Sequence, residues 1–139
     1  MDVLAPGDWK KKEDNDYSLV LYVEIENAAL LLTGDSPTTS EQYAIPLCDV
    51  LKVSHHGSPY ATSDAFIHQA EPQIALISVG RNSYGHPAQR VIDSLEENGA
   101  YVVRTDEGGC ITLWLGKRKM ALQTYCASSL KPVILAYTR

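Results

Sequence analysis

An α/β fold, with a mixed sheet and helices on one face, is predicted by three features of the chain. Ile74 to Val79 is a near-continuous apolar run, the pattern of a parallel strand covered on both faces. A helical segment opened by Pro87 and closed by Gly99 follows it, so strand and helix alternate. Asp49 to Val53 is a second short apolar strand, and it too precedes a helix-capping sequence, Thr62-Ser63-Asp64.

The elements read in order as follows. Residues 1–16 are expected to be mostly irregular, with Pro6-Gly7-Asp8 a turn and Lys10 to Asp16 a mixed-charge surface loop. Tyr17 to Ile25 alternates and puts Leu19, Leu21, Val23 and Ile25 on one face of a half-buried strand. Asn27 turns the chain into a second strand, Ala29 to Thr33, forming a hairpin. Ser36 to Pro46 is polar, with prolines at 37 and 46, and reads as loop. The helix capped at Ser63 runs to about Ala70, with Asp64 in its first turn favouring the dipole, and Pro72 stops it. Pro87 opens the second helix, to about Asn98, whose buried stripe is Val91, Ile92 and Leu95. Tyr101 to Arg104, Cys110 to Leu115 and Lys119 to Tyr125 are the final strands, the last two joined by Gly116-Lys117-Arg118.

Composition narrows the function classes. At 139 residues the chain is expected to be one domain, burying roughly two thirds of its unfolded surface. A net charge of −5 argues against a general electrostatic grip on nucleic acid, although bound divalent cations reverse that sign locally. The three cysteines, Cys48, Cys110 and Cys126, show no C-x-x-C spacing, and Cys110 and Cys126 read as small core residues. Nothing resembles a signal peptide, and Leu130 to Tyr137 falls short of the ~20 apolar residues that span a bilayer, so the chain reads as soluble.

Chemistry-bearing residues gather where strands end: Thr33-Gly34-Asp35, Ser54-His55-His56-Gly57-Ser58 and Tyr84-Gly85-His86-Pro87. Open α/β sheets place their sites at that rim. A carboxylate at Asp35 can bridge two cations about 3.5–4 Å apart, or simply cap the following turn. Strand geometry carried through His55 and His56 would point them to opposite sides, leaving one for an ion and the other for substrate or a supporting contact. Gly57 and Ser58 form a tight loop whose N–H groups can receive an anion. His86, at the start of the Pro87 helix, stands where a phosphate is favoured, or merely packs there. His68 lies mid-helix and reads as a surface or packing histidine.

The Gly34-Asp35 strand end, His-His-Gly-Ser at 55–58, the Ser78 to Pro87 run and Thr105 to Ile111 resemble, in combination, the C-terminal half of a metallo-β-lactamase-fold domain. The subgroup is that of the DNA-internalization competence proteins of the ComEC family, and the resemblance covers about residues 15 to 115. It implies an incomplete four-layer αββα architecture and a metal-dependent phosphodiesterase or nuclease associated with DNA uptake. By resemblance Asp35 and one of His56 and His55 correspond to metal ligands, for two zinc or manganese ions in an intact domain, and the other histidine to a group near substrate. His86 and His55 correspond to catalytic groups, and Ser18, Gly57, Ser58 and Tyr84 to groups beside substrate, with Asp16 near the centre. The partners implied are DNA or another phosphodiester and a membrane channel protein, and the resemblance further implies a membrane-associated intact protein with this domain extracytoplasmic.

The superfamily's H-x-H-x-D-H motif, which supplies most ligands, is absent from the chain. The expectation is a fragment truncated at Met1, inactive alone, with a missing N-terminal half as a further partner and a sheet face left apolar and uncovered. The competing reading is a non-catalytic remnant or docking module that keeps the half-fold.

Overall fold

A computed structural model describes residues 1–6, 13–41, 43–117, 119–126 and 129–136. Gly7, Asp8 and Lys10 to Lys12 of the expected turn and loop lie outside the described residues. So do Arg118 of the expected hairpin, Tyr137 and the Cys126 side chain.

Six strands form one mixed sheet in chain order: β1 (Asp2–Ala5), β2 (Val20–Ile25), β3 (Ala28–Leu32), β4 (Val50–Lys52), β5 (Ile74–Ile77) and β6 (Tyr101–Arg104). The β1–β2 and β2–β3 pairs are antiparallel, and β3 to β6 run parallel. As expected, β2 and β3 make a hairpin, turning through Glu26-Asn27 with Glu26 at φ 55°. β5 lies between two parallel neighbours, which is why its sequence is apolar on both faces. β1 departs from the irregular N-terminus expected, and Asp14–Tyr17 forms a 3₁₀ turn where a loop was expected.

Helices α1 (Asp64–Ala70) and α2 (Gln89–Glu97) cover one face of this sheet. Phe66, Ile67 and Ala70 of α1 and Val91, Ile92 and Leu95 of α2 pack with Leu31, Leu51, Ala75 and Ile77 of the strands. Ser63 caps α1 as expected, its hydroxyl oxygen accepting from Phe66 N at 3.1 Å. Ser63→Ala is therefore expected to lower stability by about 1 kcal/mol, read as a reduced urea midpoint, while Ser63→Thr retains most of it.

Helix α2 starts two residues later than expected, with Ala88 as its N-cap residue. Pro87 is used instead to pack against Gly57, and Ala88 N donates to Gly57 O at 2.8 Å.

The opposite sheet face is covered, contrary to the expectation of an exposed apolar surface. After a single helical turn, α3 (Thr105–Gly108), strands β7 (Cys110–Leu115), β8 (Lys119–Cys126) and β9 (Ser129–Ala136) form a separate antiparallel sheet. Ile111, Leu113, Leu115, Met120 and Leu122 pack against Ala28, Leu30, Val50, Ile74 and Val103 of the first sheet. Alternation along β7 leaves Cys110, Thr112 and Trp114 outward, so Cys110 is exposed and not a core residue. The layers are helix, sheet and sheet. Among the described residues no helical layer lies over the second sheet, as a four-layer αββα architecture would require.

Candidate functional site

Parallel neighbours β3, β4 and β5 release their chains on the same rim, and the three expected segments follow them. After β3, Gly34 takes φ 55° and Asp35 N donates to Ser18 Oγ at 3.2 Å. Ser18 therefore anchors the Asp35 turn. After β4, the strand geometry expected for the histidines does not persist: Ser54–Gly57 is a 3₁₀ turn in which His55 and His56 adopt φ of 46° and 56°. Two successive left-handed residues curl the chain back and bring both rings to one side, with centroids 6.2 Å apart. His55 N donates to Gly34 O at 3.0 Å, and Ser54 Oγ donates to Ser36 O at 2.6 Å, so the two loops are stitched together.

The outcome for the carboxylate is direct. His56 Nε2 stands 3.9 Å from Asp35 Oδ1, and both side chains are nearly half exposed. His56 Nδ1 lies 2.6 Å from Ser78 O. A carbonyl only accepts, so Nδ1 carries a proton, and Nε2 is the ring nitrogen near Asp35. Metal-ligating histidines are oriented in this way. Of the two adjacent histidines, His56 is the one that stands beside Asp35. His55 turns instead towards His86, ring centroids 5.6 Å apart.

Burial lowers the pKa of His86, and the neighbouring His55 and His56 lower it further, which keeps the ring neutral at pH 7. Its segment is held by Asn82, whose Oδ1 accepts from Tyr84 N and His86 N at 3.0 and 3.1 Å while Nδ2 donates to Gly80 O and His86 O. Tyr84 rests beside His86, centroids 5.9 Å apart, and the residue is 81% exposed. Thr105 Oγ1 pins the end of β5 by accepting from Val79 N at 2.7 Å and donating to Val79 O at 2.6 Å. Asn82 and Thr105 were not identified from the sequence, although both lie inside the motifs quoted.

Other assignments change. Ser58 N is used by His55 O at 2.9 Å, so it is not free to receive an anion, and Ser58 itself is buried. Gly57 is buried with its carbonyl taken by Ala88 N, and it shapes the turn. Asp16 accepts from Ser40 Oγ at 2.6 Å and lines a cleft with His55, Ser58 and Tyr60. His68 Nδ1 lies 3.4 Å from Asn98 Oδ1, away from the site.

Lys52 was not foreseen. Its ammonium donates to Val53 O at 2.8 Å; burial lowers its pKa, and the Asp35 carboxylate opposes that shift. Asp35 and His56 offer two donors, whereas a catalytic zinc takes about three protein ligands plus water. Among the described residues no group of three or more His, Cys, Asp and Glu is arranged to hold a metal ion. The residues present do not by themselves fit the expected dinuclear centre.

No protein-family model matches the chain. It is 40% identical over 115 residues to ComE operon protein 3 of Bacillus subtilis, covering 78% of the chain and 15% of that protein. It is 34% identical over 123 residues to competence protein ComA of Neisseria gonorrhoeae, covering 84% of the chain and 18% of that protein. It is 31% identical over 125 residues to Recombination protein 2 of Haemophilus influenzae, covering 87% of the chain and 16% of that protein. The chain therefore spans less than a fifth of the length of these relatives. No helix among the described residues is long and apolar enough to cross a membrane. On these identities, which extend over most of its length, the chain belongs to the ComEC family of competence proteins, matching a segment of them.

Proposed function

We propose that this chain contributes the Asp35–His56 portion of a phosphodiesterase centre that acts on DNA during competence. The remaining metal ligands would come from another polypeptide segment carrying H-x-H-x-D-H. The observation that carries this reading is the fixed geometry at the rim. His56 is held through Nδ1 by Ser78 O with Nε2 beside Asp35, His55 is packed next to it, and His86 next to His55. A histidine oriented by a backbone carbonyl beside a carboxylate is arranged for coordination more than for packing.

Each group has a role in this reading. Asp35 would supply negative charge towards divalent cations, zinc or manganese, were the other donors present. His86, neutral at pH 7, hydrogen-bonds a phosphate oxygen or accepts a proton at its ring nitrogen. Association with a membrane channel, as part of a longer competence protein, would bring DNA to this rim.

The test is complementation. The chain alone is expected to show background hydrolysis of DNA and of bis(p-nitrophenyl) phosphate with zinc or manganese. Mixed with the H-x-H-x-D-H-bearing segment of a relative, it is expected to gain cleavage that EDTA removes. A stable complex without cleavage would favour the docking-module reading, for which the missing third donor is the supporting observation.

A further inference from the structure

Two clefts flank the histidine cluster, and their charges differ. The larger, about 620 Å³, is lined by Glu13, Asp16, His55 and Tyr60 among others, with two carboxylates and, among the described residues, no lysine or arginine. The smaller, about 210 Å³, lies on the His56–His86 side and is lined by Arg81, Asn82 and Tyr84, with no carboxylate. The carboxylates lining the first repel a phosphodiester strand, whereas Arg81 in the second attracts one.

The smaller cleft is also built. Asn82 clamps the loop at Gly80, Tyr84 and His86, so an aromatic residue left 81% exposed is nonetheless presented from a fixed backbone. Exposing a large ring on a clamped loop forgoes burial that would have stabilised the fold. Arg81 stands on the same loop and makes no ion pair among the described residues. A cation and an open π-face, both beside the histidines, match the two halves of a nucleotide, phosphate and base. In a duplex the base faces are stacked and hidden, and only an unpaired nucleotide offers one.

We infer that the Arg81–Tyr84 cleft is a subsite for an unpaired nucleotide of a nucleic-acid strand, with Tyr84 stacking the base and Arg81 holding its phosphate. The inference rests on the phosphodiesterase reading and gives it a substrate class: strands with single-stranded character at the site. Tyr84 and Arg81 are positioning residues that fix which phosphodiester meets His56 and His86.

Binding, measured without turnover, tests it. Fluorescein-labelled oligo(dT) of ten nucleotides is titrated with the full chain in EDTA at low ionic strength and followed by anisotropy. Tyr84→Ala is expected to weaken binding roughly tenfold or more, while Tyr84→Phe, which keeps the π-face, stays within about twofold. Arg81→Gln is expected to lower affinity and reduce the salt slope by about 0.7, one phosphate contact on a single strand. Tyr60→Ala, an equally exposed tyrosine on the acidic cleft, is the control and is expected to change nothing. Circular dichroism of each variant separates lost binding from lost folding.

Wild-type chain that does not bind the oligonucleotide, Tyr84→Ala that binds like wild type, or duplex bound as tightly as single strand would each overturn the inference. Because EDTA excludes cleavage, the outcomes separate the two claims. Binding through Tyr84 without any cleavage in complementation sinks the phosphodiesterase reading alone. Cleavage that ignores Tyr84 and Arg81 sinks the subsite alone.

Discussion

Asp35→Asn is expected to abolish metal-dependent cleavage by the complemented protein while leaving the fold intact. The substitution keeps the shape of the side chain and removes the charge that would hold cations. Loss of an outer-sphere partner typically costs roughly 10–100-fold in metal affinity or activity, and loss of a direct ligand should cost at least that. The fold should tolerate the change, because the turn is anchored by the Asp35 backbone N–H on Ser18 Oγ and not by the carboxylate, which is 42% exposed. Two measurements check this. Manganese binding by calorimetry should fall in parallel with cleavage, and the thermal midpoint of the chain should stay within a degree or two of wild type. Normal DNA cleavage by the amide variant would show that Asp35 is not a ligand. A collapse in stability would show that the carboxylate does structural work that its exposure does not reveal.

Much of the rim was legible because strand ends are legible. Continuous apolar runs such as Ile74 to Val79 fix a buried strand regardless of context, and polar residues immediately after them must lie at its carboxyl end. The order β3, β4, β5 then places Asp35, the His55-His56 pair and His86 on one edge without knowledge of any contact. The Ser63 cap was legible for a similar reason, since a cap is local chemistry. What local chemistry does not encode was missed. β1 is a four-residue edge strand that exists by pairing with β2, and nothing in Asp2–Ala5 announces that pairing. The segregation of β7 to β9 into a second sheet depends on which face of the first is left uncovered, a tertiary fact.

The histidine turn was misjudged for a specific reason. Left-handed φ at two successive residues without glycine is disfavoured by propensity, so alternation through His55 and His56 was the natural expectation. Tertiary bonds override it here, among them His55 N to Gly34 O and the His56 ring to Ser78 O. Backbone strain of that kind, held by its surroundings, is typical of functional sites. It is also why the two histidines share one side instead of dividing between two.

Gly57→Ala is expected to be the most damaging single-methyl change in the chain. Gly57 sits at φ 79°, where an L side chain is strained, and an added Cβ would lie 2.6 Å from Pro87 Cβ and 3.1 Å from Pro87 Cα. Left-handed backbone at a non-glycine residue costs about 1–3 kcal/mol, and overpacking a tight contact costs about the same again. The sum, roughly 2–5 kcal/mol, is a large part of the 5–15 kcal/mol that holds an ordinary domain together. Something must shift, and what shifts is the contact between the His55-His56 turn and the chain leading from His86 into α2. The loss of stability should therefore be accompanied by separation of His55 from His86, whose rings stand 5.6 Å apart. Urea unfolding gives the first readout and the histidine ring resonances the second. Pro87→Gly removes the colliding Cβ but leaves the φ strain, so adding it to Gly57→Ala should recover part of the loss. A double-mutant cycle with no coupling between the two positions would place the damage in backbone strain alone. Wild-type stability in Gly57→Ala would mean that the turn and Pro87 do not pack as closely as 2.6 Å requires, and the rim would then lack the rigidity on which His56 depends for its aim at Asp35.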